Sequence, residues 1–211
     1  MHIDEGVLSN SAEGIVVLCA GAAVTAAGTA WALRKMDYER VPRVAMLSSA
    51  FFVVSLIHVP LGLTRVHLVL NGLIGLMLGW AAFPALLIAL FLQAIIFGYG
   101  GLTALGINTL TMALPALVCY YLFRRPVAWR NDALAYSAAF AAGALAVLLA
   151  ALLTASALWV TGEEFRLFAG AVLGFHLVVA AIEGLVTGSV VLFLRKVRPE
   201  LLEVPLLVPG R

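Results

Sequence analysis

The sequence predicts an all-α polytopic membrane protein of about seven transmembrane helices, with its N-terminus outside and its C-terminus in the cytoplasm. Three observations carry that expectation. Of the 211 residues, 64% are hydrophobic and 11% charged, and the mean hydropathy is +1.08; a soluble domain holds about 45–50% apolar and about 25% charged residues. Too few polar side chains remain to coat a globule, so lipid must be the solvent. The apolar residues fall in runs of bilayer length, and the basic residues gather at only some of the boundaries between runs.

A bilayer core about 30 Å thick takes roughly 20 apolar residues per helix. Runs near 14–33, 44–59, 104–123, 133–160 and 166–194 each supply one helix, the second ending at Pro60-Leu61-Gly62. The segment 66–97 is too long for one upright helix and short for two. Charge placement decides the matter, because Lys and Arg beside membrane spans favour the cytoplasm. Arg34, Lys35, Arg40 and Arg43 form one cluster, Arg124, Arg125 and Arg130 a second, and Arg195, Lys196 and Arg198 a third. A single crossing would put the second cluster opposite the first. Two crossings, near 66–82 and 84–99 with a bend at Pro84, bring all three to one side and leave only Arg65 and Arg166 facing out. Residues 1–198 then read as one transmembrane domain, opened by the segment 1–13 and followed by a cytoplasmic tail, 199–211.

Small residues are dense in two helices: 20–30 reads AGAAVTAAGTA, and 138–157 holds many alanines around Gly143. Such faces let backbones approach closely, either for internal packing or as a surface for another membrane subunit. A net charge of +2 with scattered cations excludes a nucleic-acid footprint. Cys19 and Cys119 lie in apolar runs without CxxC spacing and read as small core residues. The opening residues 1–6 carry acids and no Lys or Arg, unlike the start of a signal peptide, so the chain is expected to keep its own N-terminus.

Ionisable groups inside spans are costly and point to function. Of the acids only Glu183 lies within a span, with His176 two turns earlier on the same helix; a packing or helix-to-helix contact would account for both. His58 and His67 flank the Pro60/Gly62 break with Arg65 beside them, and Asn71, four residues after His67, shares a helix face with it and can support it. His2 adds a particular possibility. A free α-amine, the amide nitrogen of residue 2 and the His2 imidazole can close fused chelate rings on one metal, and the bulk of residue 2 disfavours removal of Met1. A fourth nitrogen from His67 would complete a square-planar set of the kind that suits Ni(II) or Cu(II). Such binding displaces protons from amine and amide and so weakens in acid.

Met1-His-Ile-Asp-Glu-Gly-Val-Leu-Ser9, the run from His67 to Trp80 (HLVLNGLIGLMLGW), the run from Gln93 to Asn108 (QAIIFGYGGLTALGIN) and EGLVTG from Glu183 to Gly188 resemble the CbiM/NikM family. These are the metal-binding membrane components (S components) of energy-coupling factor (ECF) importers for cobalt and nickel. The resemblance spans about residues 1–195. It implies capture of Ni(II) or Co(II), as transported substrate, from outside and delivery across a bacterial or archaeal cytoplasmic membrane. It also implies partners: a scaffold (T) membrane subunit, cytoplasmic ATPase subunits and a small accessory membrane subunit in some systems. Residue by residue it places Met1 as amine donor, His2 as amide and imidazole donor and His67 as the fourth ligand, with the N-terminal segment folded inward. His58, Asn71 and Gln93 become the supporting partners of the ligating imidazoles. Tyr99 departs from the family pattern, and no ligand role passes to Glu183.

Without a GxxxxGK[ST] loop the chain is expected to hydrolyse no ATP of its own and to be a transport component rather than an enzyme. Two other readings compete. An intramembrane metalloenzyme on His176 and Glu183 would want HExxH or a ligand set with an open position. A stand-alone secondary transporter or channel would want broken midplane helices or inverted repeats. The sequence offers neither.

Overall fold

The structure, a computed structural model, describes residues 2–56, 58–61, 64–162 and 166–202. A short helix α1 (Glu5–Leu8) leads into α2 (Ala12–Lys35), whose N-cap Ser11 accepts from the Gly14 N–H. Then come α3 (Val41–Val54), an antiparallel hairpin of β1 (His58–Leu61) and β2 (Thr64–His67), and α4 (Asn71–Leu78). A 3-10 turn, Gly79–Ala81, separates α4 from α5 (Ala82–Phe97). The chain continues through α6 (Leu105–Phe123), α7 (Asp132–Thr161) and α8 (Arg166–Val197).

The segments Ala12–Lys35, Asn71–Phe97, Leu105–Phe123, Asp132–Thr161 and Gly170–Val197 are each long and apolar enough to cross a membrane. The second of these is two passes, as its neighbours establish. Down α4, the Asn71 side chain donates to the Met112 carbonyl, Gly75 rests on Ala116 and Gly79 on Tyr120, so α4 runs parallel to α6. Up α5, Ala85 accepts from the Ser48 hydroxyl and Gln93 donates to the Ser55 hydroxyl, so α5 runs parallel to α3. The turn therefore lies at the end of the bundle that holds Lys35, Arg40 and Tyr121, all of which border one recess with Trp80. With α3 as a further, shorter helix, seven helical segments run alternately along the bundle among the described residues, and the three basic clusters share one end.

The bend falls at Gly79–Ala81, not at the expected Pro84. Gly79 has φ +54°, ψ −123°, a conformation open to glycine because it lacks Cβ. Pro84 instead sits in the first turn of α5, where a missing N–H costs no hydrogen bond. Nor does the helix expected at 66–82 begin there: residues 64–67 pair with 58–61 and helical structure starts at Asn71. Likewise α3 stops at Val54, short of the expected 59.

At eight residues α4 is about 12 Å long, less than half a bilayer core, and all eight residues are buried. A helix apolar on every side belongs inside protein, and α6 and α7 wall it in. The face of α2 carrying Gly21, Thr25 and Gly28 packs inward, Thr25 donating to the Gly106 carbonyl at 2.7 Å, while Ala23, Ala26, Ala27 and Ala30 stay exposed. At the basic end Arg195 closes α8 onto the start of α7: it donates to the Val127 and Trp129 carbonyls and meets Asp132 at 3.3 Å. The start of the expected tail is not free of the bundle, since Leu202 is buried in its core.

A Cβ added at Gly75 would lie 2.1 Å from the Ala116 carbonyl oxygen, whereas one at Gly170 meets nothing. Gly75→Ala is therefore expected to lower stability by about 1–3 kcal/mol and Gly170→Ala not to lower it, read from unfolding of the detergent-solubilised protein.

Candidate metal centre

Extended backbone enters the bundle at two places, and the site lies where they meet. The first is the N-terminus. His2 and Ile3 are 4% and 2% exposed, and their main chain is drawn in by one side chain: Asn108 accepts from the Ile3 N–H at 2.9 Å and donates to the Ile3 carbonyl at 3.0 Å. An amide carries its donor and its acceptor on separate atoms of one planar group and so can do both at once. Leu8, fully buried, closes the segment behind.

The second is the hairpin, whose register puts His67 opposite His58 and delivers His67 to the inner end of β2. The His67 ring is 2% exposed and stacks on His2 with centroids 4.9 Å apart and planes 29° apart. Phe51 meets His67 edge-on at 6.3 Å, and the Tyr99 ring lies 6.3 Å from His2 on the other side. Gly100 completes the wall. Its φ is +73°, and a Cβ there would stand 2.7 Å from the Asn108 amide nitrogen and 3.6 Å from His2 Nδ1. Both the backbone angle and the space exclude a side chain.

His67 Nδ1 lies 2.8 Å from the Leu68 carbonyl oxygen. A carbonyl only accepts, so Nδ1 carries the proton and Nε2 keeps the lone pair. At Nδ1 this imidazole is thus supported by main chain. Asn71 gives its amide to the Met112 and Ala146 carbonyls, and Gln93 gives its own to Ser55. The His58 side chain and all of Met1 lie outside the described residues. Glu183, fully buried, turns its carboxylate to the turn after His67 and accepts from the Val69 and Leu70 N–H groups, the latter at 2.9 and 3.0 Å. His176 bonds the Val172 carbonyl on its own helix.

Among the described residues no three His, Cys, Asp or Glu side chains gather. What the described residues gather is two imidazoles beside the N-terminal main chain. Neutral nitrogen donors suit nickel, cobalt or copper rather than magnesium or calcium. Sequence reasoning found His2 and His67 and passed over Asn108, although a lone amide in an apolar run is a signal of its own. The Leu68 carbonyl had no such signal.

The profile of the CbiM family, described as the cobalt uptake substrate-specific transmembrane region, matches residues 2–201. A Haemophilus influenzae protein named for metal transport is 40% identical over 96% of this chain and 97% of its own length. The fused nickel transport protein NikMN of Rhodobacter capsulatus is 36% identical over 96% of this chain, which spans 64% of that longer protein. A crystal structure of a transition metal transporter superposes with a TM-score of 0.79 at 29% identity, covering 93% of each chain.

Asn108→Ala would strand two buried main-chain groups. It is expected to cost about 1–3 kcal/mol and to raise hydrogen exchange at the Ile3 amide, followed by mass spectrometry, while exchange in α7 stays unchanged.

Proposed function

The chain belongs to the CbiM family of cobalt-uptake transmembrane components, and we propose that it captures Ni(II) or Co(II) outside the cell and passes the ion inward as the substrate-specificity subunit of an ECF-type importer. The observation that carries this reading is the His2–His67 stack at 4.9 Å, two imidazoles buried beside the N-terminal main chain and fenced by Phe51, Tyr99 and Gly100. In this reading the Met1 amine, the His2 amide and imidazole, and His67 Nε2 make a four-nitrogen set. Relatives named for nickel and for cobalt, NikMN of Rhodobacter capsulatus and CbiM of Sorangium cellulosum, support those two ions as cargo.

The common basic end supports the orientation. Lys and Arg concentrate on the cytoplasmic side, which puts the His2–His67 end outward and the Gly79–Ala81 turn inward. A site closed by protein on all sides releases its ion only when elements move, and such a shift needs a partner that binds one state better than the other. The sequence has no phosphate-binding loop, so the work falls to cytoplasmic ATPase subunits acting through a scaffold membrane subunit. The greater length of the fused nickel transporters, to which this chain aligns in part, is in keeping with additional modules.

Purified protein titrated with Ni(II) should bind one ion with the absorption of square-planar nitrogen ligation. His2→Ala, His67→Ala and a residue added before Met1 should each abolish it with the fold intact. Undiminished binding by the extended protein would remove the amine from the set. Affinity should fall as the pH drops below the usual amine range of about 7.7–8.0, because bound protons must leave.

A further inference from the structure

Glu183 is the one acid inside a described transmembrane helix that is fully buried, and the metal reading above leaves it without a task. Its place is specific. The Val69 N–H it accepts belongs to the same peptide unit as the Leu68 carbonyl that accepts from His67 Nδ1. A trans peptide points its C=O and N–H in opposite directions in one plane. The donors and acceptors therefore line up: His67 Nδ1–H to Leu68 C=O, then Val69 N–H to the Glu183 carboxylate. Leu70 adds a second N–H to the same carboxylate, and it does so from φ +50°, the only positive φ outside glycine among the described residues. Strain of that kind costs of order 1 kcal/mol and persists where surroundings hold it.

Resting on the metal reading, we infer that Glu183, Leu68–Val69 and His67 form a carboxylate–peptide–histidine relay that orients His67 and strengthens it as a metal donor. Ligating imidazoles commonly hand their second N–H to a carboxylate or a carbonyl; here the peptide group places both in series. The negative charge polarises the peptide, the Leu68 oxygen becomes a better acceptor, and electron density at His67 Nε2 rises. Hydrogen bonds coupled in a low-dielectric interior reinforce one another in this way. Glu183 touches no ion itself and is a positioning residue. It stands on α8, where Gly143 of α7 packs against the Glu183 carbonyl and Thr187, and Gly72 of α4 packs on Gly143. The relay is thereby fixed to three helices at once.

The test uses Ni(II) and the full chain in detergent. Glu183→Gln keeps an acceptor oxygen for the two N–H groups and removes the charge. It should lower nickel affinity about 10–100-fold, the cost typical of losing such a partner, and move the nickel ligand-field band to lower energy. Glu183→Ala should lose more. Ser156→Ala, an exposed residue of α7 whose hydroxyl bonds only the Leu152 carbonyl of its own helix, should bind nickel as the parent does. Selective ¹⁵N-histidine labelling gives a reading without nickel: His67 should be the Nδ1–H tautomer in the parent, with a shifted Nδ1 resonance in Glu183→Gln. If His67→Ala abolishes nickel binding while Glu183→Gln keeps the parent affinity, band and resonance, the relay is wrong and the metal site stands. If His67→Ala binds nickel as the parent does, the site reading falls and takes the relay with it.

Discussion

The constraint on which this structure depends is that lipid satisfies no hydrogen bond. Helices meet it by internal pairing, and non-helical main chain is admitted at membrane depth only where protein surrounds it. This chain brings two such stretches inside, residues 2–3 and 67–70, and places its rare functional groups on them. Everything around them serves that admission. Asn108 answers the N–H and C=O of Ile3, Glu183 answers Val69 and Leu70, and β1 pairs the outer part of the hairpin.

The buried polar residues form a pattern under the same constraint. Asn71, Ser48, Thr25 and Asn108 each donate to main-chain oxygens of another element. They join helices whose apolar surfaces have no preference for one another over lipid, as small residues do at the α4–α7–α8 crossing. Asn108 serves stability and site geometry with the same bonds.

Much of the fold could be read from the sequence, for reasons that are physical. Length and hydropathy mark the spans, and the three basic clusters required that 66–97 cross twice. The position of the bend could not be read so well, because proline at a helix start and proline at a break look alike in a sequence, and the φ of Gly79 leaves no mark there. The hairpin at 58–67 was missed since its apolar residues continue the hydropathy of the neighbouring runs. Of the site, His2 and His67 stood out because imidazoles are scarce in apolar sequence. Asn71 and Gln93 had the right chemistry for support, yet the fold spends their amides on other helices. What holds the His67 ring is a peptide carbonyl, and every residue has one of those.

The shortness of α4 has a consequence for how the molecule is made. Eight residues cannot rest in lipid by themselves, and the carboxylate that receives the chain just ahead of them, at Leu70, is 113 residues further on. When the α4–α5 hairpin emerges from the ribosome its final seat does not exist. The helices that wall α4 in, α6 and α7, likewise come later in the chain, so α4 reaches its buried seat only after they are made.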